Sequence, residues 1–295
     1  MNILKEGTQY MSKSVLVTGG AGFVGSHLCE TLRNQGYNVT SIDNYFTGST
    51  SNHITGVQYI SGDVCTINDV FRTRTFDLVY HMGEYSRVEQ SFGDIKTVLD
   101  FNTKGINEVL QFCLNKNIKL IYAGSSTKYG DNGPDSSPYA FTKSKNTELV
   151  RNFGEWFGLN FAITYFYNVY GPREIQEGKY STVIAKFMKL KREGKNIPVV
   201  SPGTQLRNFT HIHDIVNGLI LVGENGSGDG YSIGNSKAYS ILEVAEMFNS
   251  PIDFLPPRRG NRMSAGLDTS KIKELGWKET INLQDYIREA CNEKT

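Results

Sequence analysis

The sequence predicts an α/β fold: a doubly wound parallel sheet carrying a smaller, discontinuous α/β domain. Three observations predict it. Short runs rich in Val, Ile, Leu and Tyr alternate with helix-like stretches, a glycine-rich turn joins the first run to the first helix, and the regularity loosens after Gly171-Pro172 without a linker. The first run is 14–18 and the first helical pattern 23–34; further runs follow at 37–42, 57–60, 78–81, 119–123 and 160–165. Helical patterns at 97–115 and 139–157 lie between the later ones. Such alternation builds a parallel sheet covered on both faces. Beyond it come a basic helix at 183–193, a Pro- and Gly-containing stretch at 197–203 and a helix at 212–223 expected to return to the first domain. A short strand at 230–233, a helix at 240–248, a loop at 256–262 and a final helix complete the chain. Residues 12–170 with about 206–235 are thus expected to form the first domain, and about 171–205 with 236–295 the second.

With 295 residues the chain is long enough to bury a real core. Its 31 basic and 30 acidic side chains leave a formal charge of +1, so electrostatics give no case for nucleic acid or a membrane surface as partner. Cys29, Cys65, Cys113 and Cys291 are widely spaced and form no metal-ligand pattern; they read as buried free thiols, and no metal is expected. No apolar run is long enough to span a bilayer, and residues 1–13 are polar where a signal peptide would be apolar. A cytoplasmic location is the expectation.

Thr18-Gly19-Gly20-Ala21-Gly22-Phe23-Val24-Gly25 follows a predicted strand and opens a predicted helix. The early glycines permit a tight turn and a close approach to a pyrophosphate, and Gly25 lets the helix pack on the strand. The helix N-terminus offers free N–H groups to phosphate. A glycine cluster alone is weak evidence, but Asp43 ends the second strand, where a carboxylate can accept the adenosine ribose hydroxyls. That acid would repel a 2′-phosphate. The sheet is therefore expected to be of the Rossmann type, with NAD rather than NADP at the turn. Asp63, with Val64 after the third strand, reads equally as an adenine contact or an ordinary turn aspartate.

Tyr139 and Lys143 stand four residues apart, on one helix face. A free phenol, with a pKa near ~10, is a poor base. A nearby ammonium ion and a cationic nicotinamide both favour the phenolate. By itself the pair reads as a surface pair. Ser125, at the C-terminal end of the 119–123 strand where such sheets bind ligands, changes the weighting.

With these residues together, the sequence resembles the extended short-chain dehydrogenase/reductases, and among them the NAD-dependent sugar-nucleotide epimerase/dehydratase family. The resemblance is carried by TGGAGFVG at 18–25, SIDN at 41–44, GDV at 62–64, SSTKYG at 125–130, YAFTK at 139–143, YNVYGPR at 167–173 and RNFTHIHD at 207–214. It implies Ser125, Tyr139 and Lys143 as the catalytic set. For NAD it implies Gly19, Gly22, Phe23, Val24, Gly25, Asp43, Asn44, Asp63, Val64 and Asn102, with Tyr139 and Lys143. For a nucleotide sugar it implies Ser125, Ser126, Thr127 and Asn168, with Arg207 and Arg258 clamping the diphosphate. Alone, each arginine reads as a surface charge; Arg173 reads equally as the partner of a nearby acid.

Family dehydratases carry an Asp-Glu pair where this chain has Ser126 and Thr127, and family decarboxylases carry Glu at the position of Thr127. Hydroxyls cannot supply that acid and base. The arrangement resembles UDP-glucose 4-epimerases, in which Tyr139 would act as acid/base around a 4-keto intermediate. Ala265 stands where epimerases restricted to unacetylated hexoses carry Tyr, leaving room for a 2-acetamido group. The chain departs from the pattern at Asn208, usually Asp, at Ser86, a Lys in hexose epimerases, and at Glu84 in a usually alanine-rich stretch. Glu84 reads as a cofactor-side contact or a rim residue and receives no role. A 4,6-dehydratase and a non-catalytic NAD-binding regulator are the competing readings, and the family leads one to expect a homodimer through the helices at 97–115 and 139–157.

Overall fold

The computed structural model describes residues 12–131, 133–257, 263–264 and 266–292. Arg258 and Ala265 lie outside the described residues. The central sheet contains β1 (Ser14–Thr18), β2 (Asn38–Asp43), β3 (Gln58–Ser61), β4 (Leu78–His81), β5 (Lys119–Ser125), β6 (Phe161–Phe166) and an edge strand, Gly228–Ile233. All pair in parallel. Across the sheet the order is Gly228–Ile233, β6, β5, β4, β1, β2, β3. This is a Rossmann-type sheet, and its order reverses between β1 and β4, which opens a crevice beyond their carboxyl ends.

The apolar runs are explained by burial on both faces: Val15, Leu16 and Val17 are all fully buried. One face packs on Phe71, Val109, Phe112, Val150 and Phe153. The other packs on Leu28, Leu32, Ile215, Leu219 and Trp277. Helix Ile212–Asn225 lies on this second face beside helix Phe23–Asn34 and leads into the edge strand. A third core of Tyr170, Ile184, Phe187, Val199, Phe248 and Ile287 supports a smaller lobe. That lobe holds helix Val183–Arg192, the parallel pair Ile197–Val200 and Ile252–Leu255, the antiparallel pair Leu206–Asn208 and Ala238–Ser240, and helix Leu283–Asn292.

Local chemistry moved several expected boundaries. The helix expected at 139–157 starts at Pro138, because Ser137 Oγ accepts the Ala140 N–H at 3.1 Å and proline suits the first helical position. It ends at left-handed Gly158, with φ 73°. The helix expected at 240–248 shortens to Ile241–Glu246, closed at its start by a Ser240/Glu243 capping box. The pattern at 97–115 is helical from Ile95, but a π-turn at Asp100–Lys104 interrupts it. Only Cys29 and Cys113 are buried; Cys65 and Cys291 are partly exposed, which corrects the expectation of four buried thiols. No helix among the described residues is long and apolar enough to cross a membrane.

Candidate active site

A cleft of about 1070 Å³ runs along the carboxyl ends of the strands and into the smaller lobe. At one end lies the glycine turn. Gly19 has φ +71°, and a Cβ there would sit 2.8 Å from Gly83 Cα; one on Gly25 would sit 2.1 Å from the Gly19 carbonyl oxygen. Only glycine fits either place. Gly22 precedes helix Phe23–Asn34 without a side-chain cap, and the first turn carries no acid, so its N–H groups are open to an anion. Asp43 closes β2 with its carboxylate accepting the N–H groups of Ala21 (2.9 Å) and Tyr45 (2.8 Å). It borders the cleft with lone pairs to spare for ribose hydroxyls. These features fit a dinucleotide.

Gly19, Gly22, Phe23, Val24, Gly25, Asn44, Asp63 and Val64 also border the cleft. Asp63 has a structural duty besides: it accepts from Cys65 N at 2.9 Å and from Asn44 Nδ2 at 2.9 Å. Burial opposes its ionisation, but these donors hold the carboxyl below its ordinary range. Asn102 is fully buried in the π-turn; its side chain accepts from Tyr85 N at 2.8 Å and donates to Thr142 Oγ1 at 3.1 Å. Its amide is committed to protein groups, so it braces the cleft wall.

Helix Pro138–Phe157 and the end of β5 bring the catalytic candidates together. The Tyr139 hydroxyl donates to Ser125 Oγ at 3.1 Å, and Ser125 Oγ lies 2.9 Å from Thr127 Oγ1. Ser125 also accepts the Thr127 N–H at 3.3 Å, capping the short turn Ser126–Tyr129. Ser125, Ser126, Thr127, Tyr139 and Lys143 all border the cleft.

Sequence reasoning missed the partner of Lys143. Its ammonium group donates to Glu84 and to the Ala123 carbonyl and lies 4.6 Å from the Tyr122 ring centroid. The Glu84 carboxylate also accepts from Asn146 Nδ2 at 2.8 Å and Tyr122 Oη at 3.0 Å, and His81 Nε2 stands 3.7 Å away. Burial alone would push this carboxyl up; Lys143 and His81 outweigh it and hold it well below the usual range. The available signal was a lone carboxylate just past β4, at the ligand-binding edge.

A second overlooked group lies across the cleft. Glu174 accepts the Gly171 N–H at 2.9 Å, and burial pushes its carboxyl up to about 7. Arg87 also borders the cleft and donates to the Tyr180 carbonyl at 2.9 Å, and its charge opposes the effect of burial on Glu174. Asn168, left-handed at φ 37°, and Arg207 border the same region, with Asn168 Nδ2 donating to the Asn208 carbonyl at 3.1 Å. Arg173 instead pairs with Glu30 at 2.7 Å. Ser86 borders the cleft beside Arg87.

A family model described as the NAD dependent epimerase/dehydratase family matches residues 15–234. A putative UDP-glucose 4-epimerase of Methanocaldococcus jannaschii is 27% identical over 298 residues, covering 94% of this chain and 97% of the relative. A trifunctional UDP-glucose 4,6-dehydratase/UDP-4-keto-6-deoxy-D-glucose 3,5-epimerase/UDP-4-keto-L-rhamnose-reductase of Arabidopsis thaliana is 26% identical over 97% of this chain, which spans only 47% of that relative. Among solved structures, the Thermus thermophilus UDP-glucose 4-epimerase in complex with NAD superposes with a TM-score of 0.86 at 25% identity, over 95% of this chain and 98% of that one. The glycine cradle, the Ser125–Tyr139 contact and these likenesses agree: the chain belongs to the NAD-dependent epimerase/dehydratase family, and its cofactor is NAD.

Proposed function

We propose that the chain is a nucleotide-sugar 4-epimerase of the UDP-glucose/UDP-galactose type. The observation that carries this reading is the Tyr139–Ser125 hydrogen bond at 3.1 Å beside a turn that offers hydroxyls, Ser126 and Thr127, instead of carboxyls. The cradle around Gly19–Gly25 and Asp43 would hold NAD, with Lys143 on its ribose. When bound, NAD supplies the acceptor that stores the C4 hydride and gives it back. Tyr139 takes the proton of the C4 hydroxyl, and Ser125 holds the same oxygen in place. The keto sugar then turns its other face, and Tyr139 returns the proton. Asn168, Arg207 and Arg258 hold the diphosphate, so the sugar turns about a fixed anchor. In this reading residues 12–170 and about 206–235 form the cofactor domain and the remainder the sugar-nucleotide domain, with Ser125, Tyr139, Asn168 and Arg207 reaching the sugar nucleotide from the first.

NMR of the products formed from UDP-galactose and a panel of nucleotide sugars tests this: C4 epimers are expected, and a 4-keto-6-deoxy product alone would refute it. Acetylated hexosamines are expected among the substrates, and Ala265→Tyr should lose them while keeping plain hexoses. The near-neutral Glu174 carboxyl favours the second reading, a 4,6-dehydratase, because elimination needs one further acid or base. Glu174→Gln would then abolish dehydration and spare C4 proton transfer. We also propose a cytoplasmic homodimer, supported by the exposed Ile95, Leu99, Phe141 and Trp156 on the helices at 95–115 and 138–157. Sedimentation at the 33.0 kDa monomer mass alone would contradict it.

A further inference from the structure

We propose that Glu84 is the counter-ion and positioning residue of Lys143, fixing the ammonium group in a dry site and leaving one N–H for the bound dinucleotide. An ammonium group has three donors and no acceptor. Glu84 and the Ala123 carbonyl take two of them, and the Tyr122 ring covers the ammonium from one side. Lys143 borders the cleft with Ser125 and Tyr139, so the third donor is the one a ligand can use.

A charge at this depth needs a partner. The side chains of Lys143 and Glu84 are 6% and 3% exposed, and an unpaired buried ion is costly. The groups facing the carboxylate come from three elements. His81 approaches from β4, Tyr122 from β5, and Lys143 and Asn146 from helix Pro138–Phe157. His81 is fixed from behind, its Nδ1 2.7 Å from Thr18 Oγ1, which also accepts the Gly83 N–H at 3.0 Å. Asn146 Nδ2 also donates to the Asn102 carbonyl at 2.6 Å, inside the π-turn. Glu84 therefore ties the dinucleotide turn to the catalytic helix through charge as well as packing.

The test uses NAD and no nucleotide sugar, so its failure is distinct from failure of the epimerase reading. In NAD-saturated Lys143→Met, Glu84 keeps its burial and loses its cation, and its carboxyl holds a proton toward neutral pH. A carboxyl raised in the folded state contributes stability that is present in acid and lost as pH rises. The Tm of Lys143→Met should therefore fall relative to the parent by roughly 3 °C per pH unit between about pH 5 and 7. Adding Glu84→Gln should abolish that slope. A proton shared with His81 acts in the same direction and is removed by the same substitution. Glu84→Gln alone should weaken NAD binding about tenfold or more, with no further loss when added to Lys143→Met. An unchanged slope in the double variant, unchanged NAD affinity in Glu84→Gln, or additive losses would each overturn the proposal.

Discussion

Two of the buried carboxylates that border the cleft, Glu84 and Glu174, end in opposite states. Glu84, on the wall built by β4 and helix Pro138–Phe157, is held ionised by Lys143 and His81 against the cost of burial. For Glu174, on the wall that follows Gly171, burial outweighs the Gly171 N–H and the charge of Arg87 and raises the carboxyl to about 7. Depth alone does not fix charge; a cation in direct contact does. The first wall is thus electrostatically set, whereas the second changes its protonation near neutral pH.

The largest expected effect falls on the first wall. Tyr139→Phe removes the hydroxyl bonded to Ser125 and should lower kcat by roughly 10²–10⁴-fold with the fold intact, read by turnover and circular dichroism. Next, Lys143→Met should convert Glu84 into a second Glu174. Stranding that carboxylate is expected to cost about 3–5 kcal/mol in denaturant unfolding, and a cost near zero would erase the contrast between the walls. Smaller is the Glu174 effect. Because its folded value is raised, its contribution is present in acid and lost as pH rises toward about 7. Glu174→Gln should therefore flatten the decline in parent stability between about pH 5 and 7, by at most about 1.4 kcal/mol per unit, as followed by urea titration at several pH values.

The two halves of the site also differ in how far they could be read from sequence. The dinucleotide cradle is contiguous: strand, glycines and helix occupy residues 14–34, with Asp43 at the end of the next strand. Each of its features acts through local backbone geometry, so the pattern survives without tertiary knowledge. Glu84 was opaque because its partner Lys143 lies 59 residues away, and it takes both the β4–β5 pairing and the packing of helix Pro138–Phe157 on β5 to bring them together. Glu174 was equally silent, since burial is set by the fold around it. The two-stranded pairs of the smaller lobe escaped for another reason: strands as short as Leu206–Asn208 are too brief for alternation to register. The π-turn at Asp100–Lys104 left the helical pattern intact and was visible only in the hydrogen bonds around Asn102.

The most direct measurement is proton NMR of a nucleotide-sugar panel incubated with the protein as purified, with Tyr139→Phe as control. Products inverted at C4 are expected, with no net reduction of NAD, and no C4 epimer is expected from the control. Products that have lost water or a carboxyl group, with no C4 epimer, would contradict it.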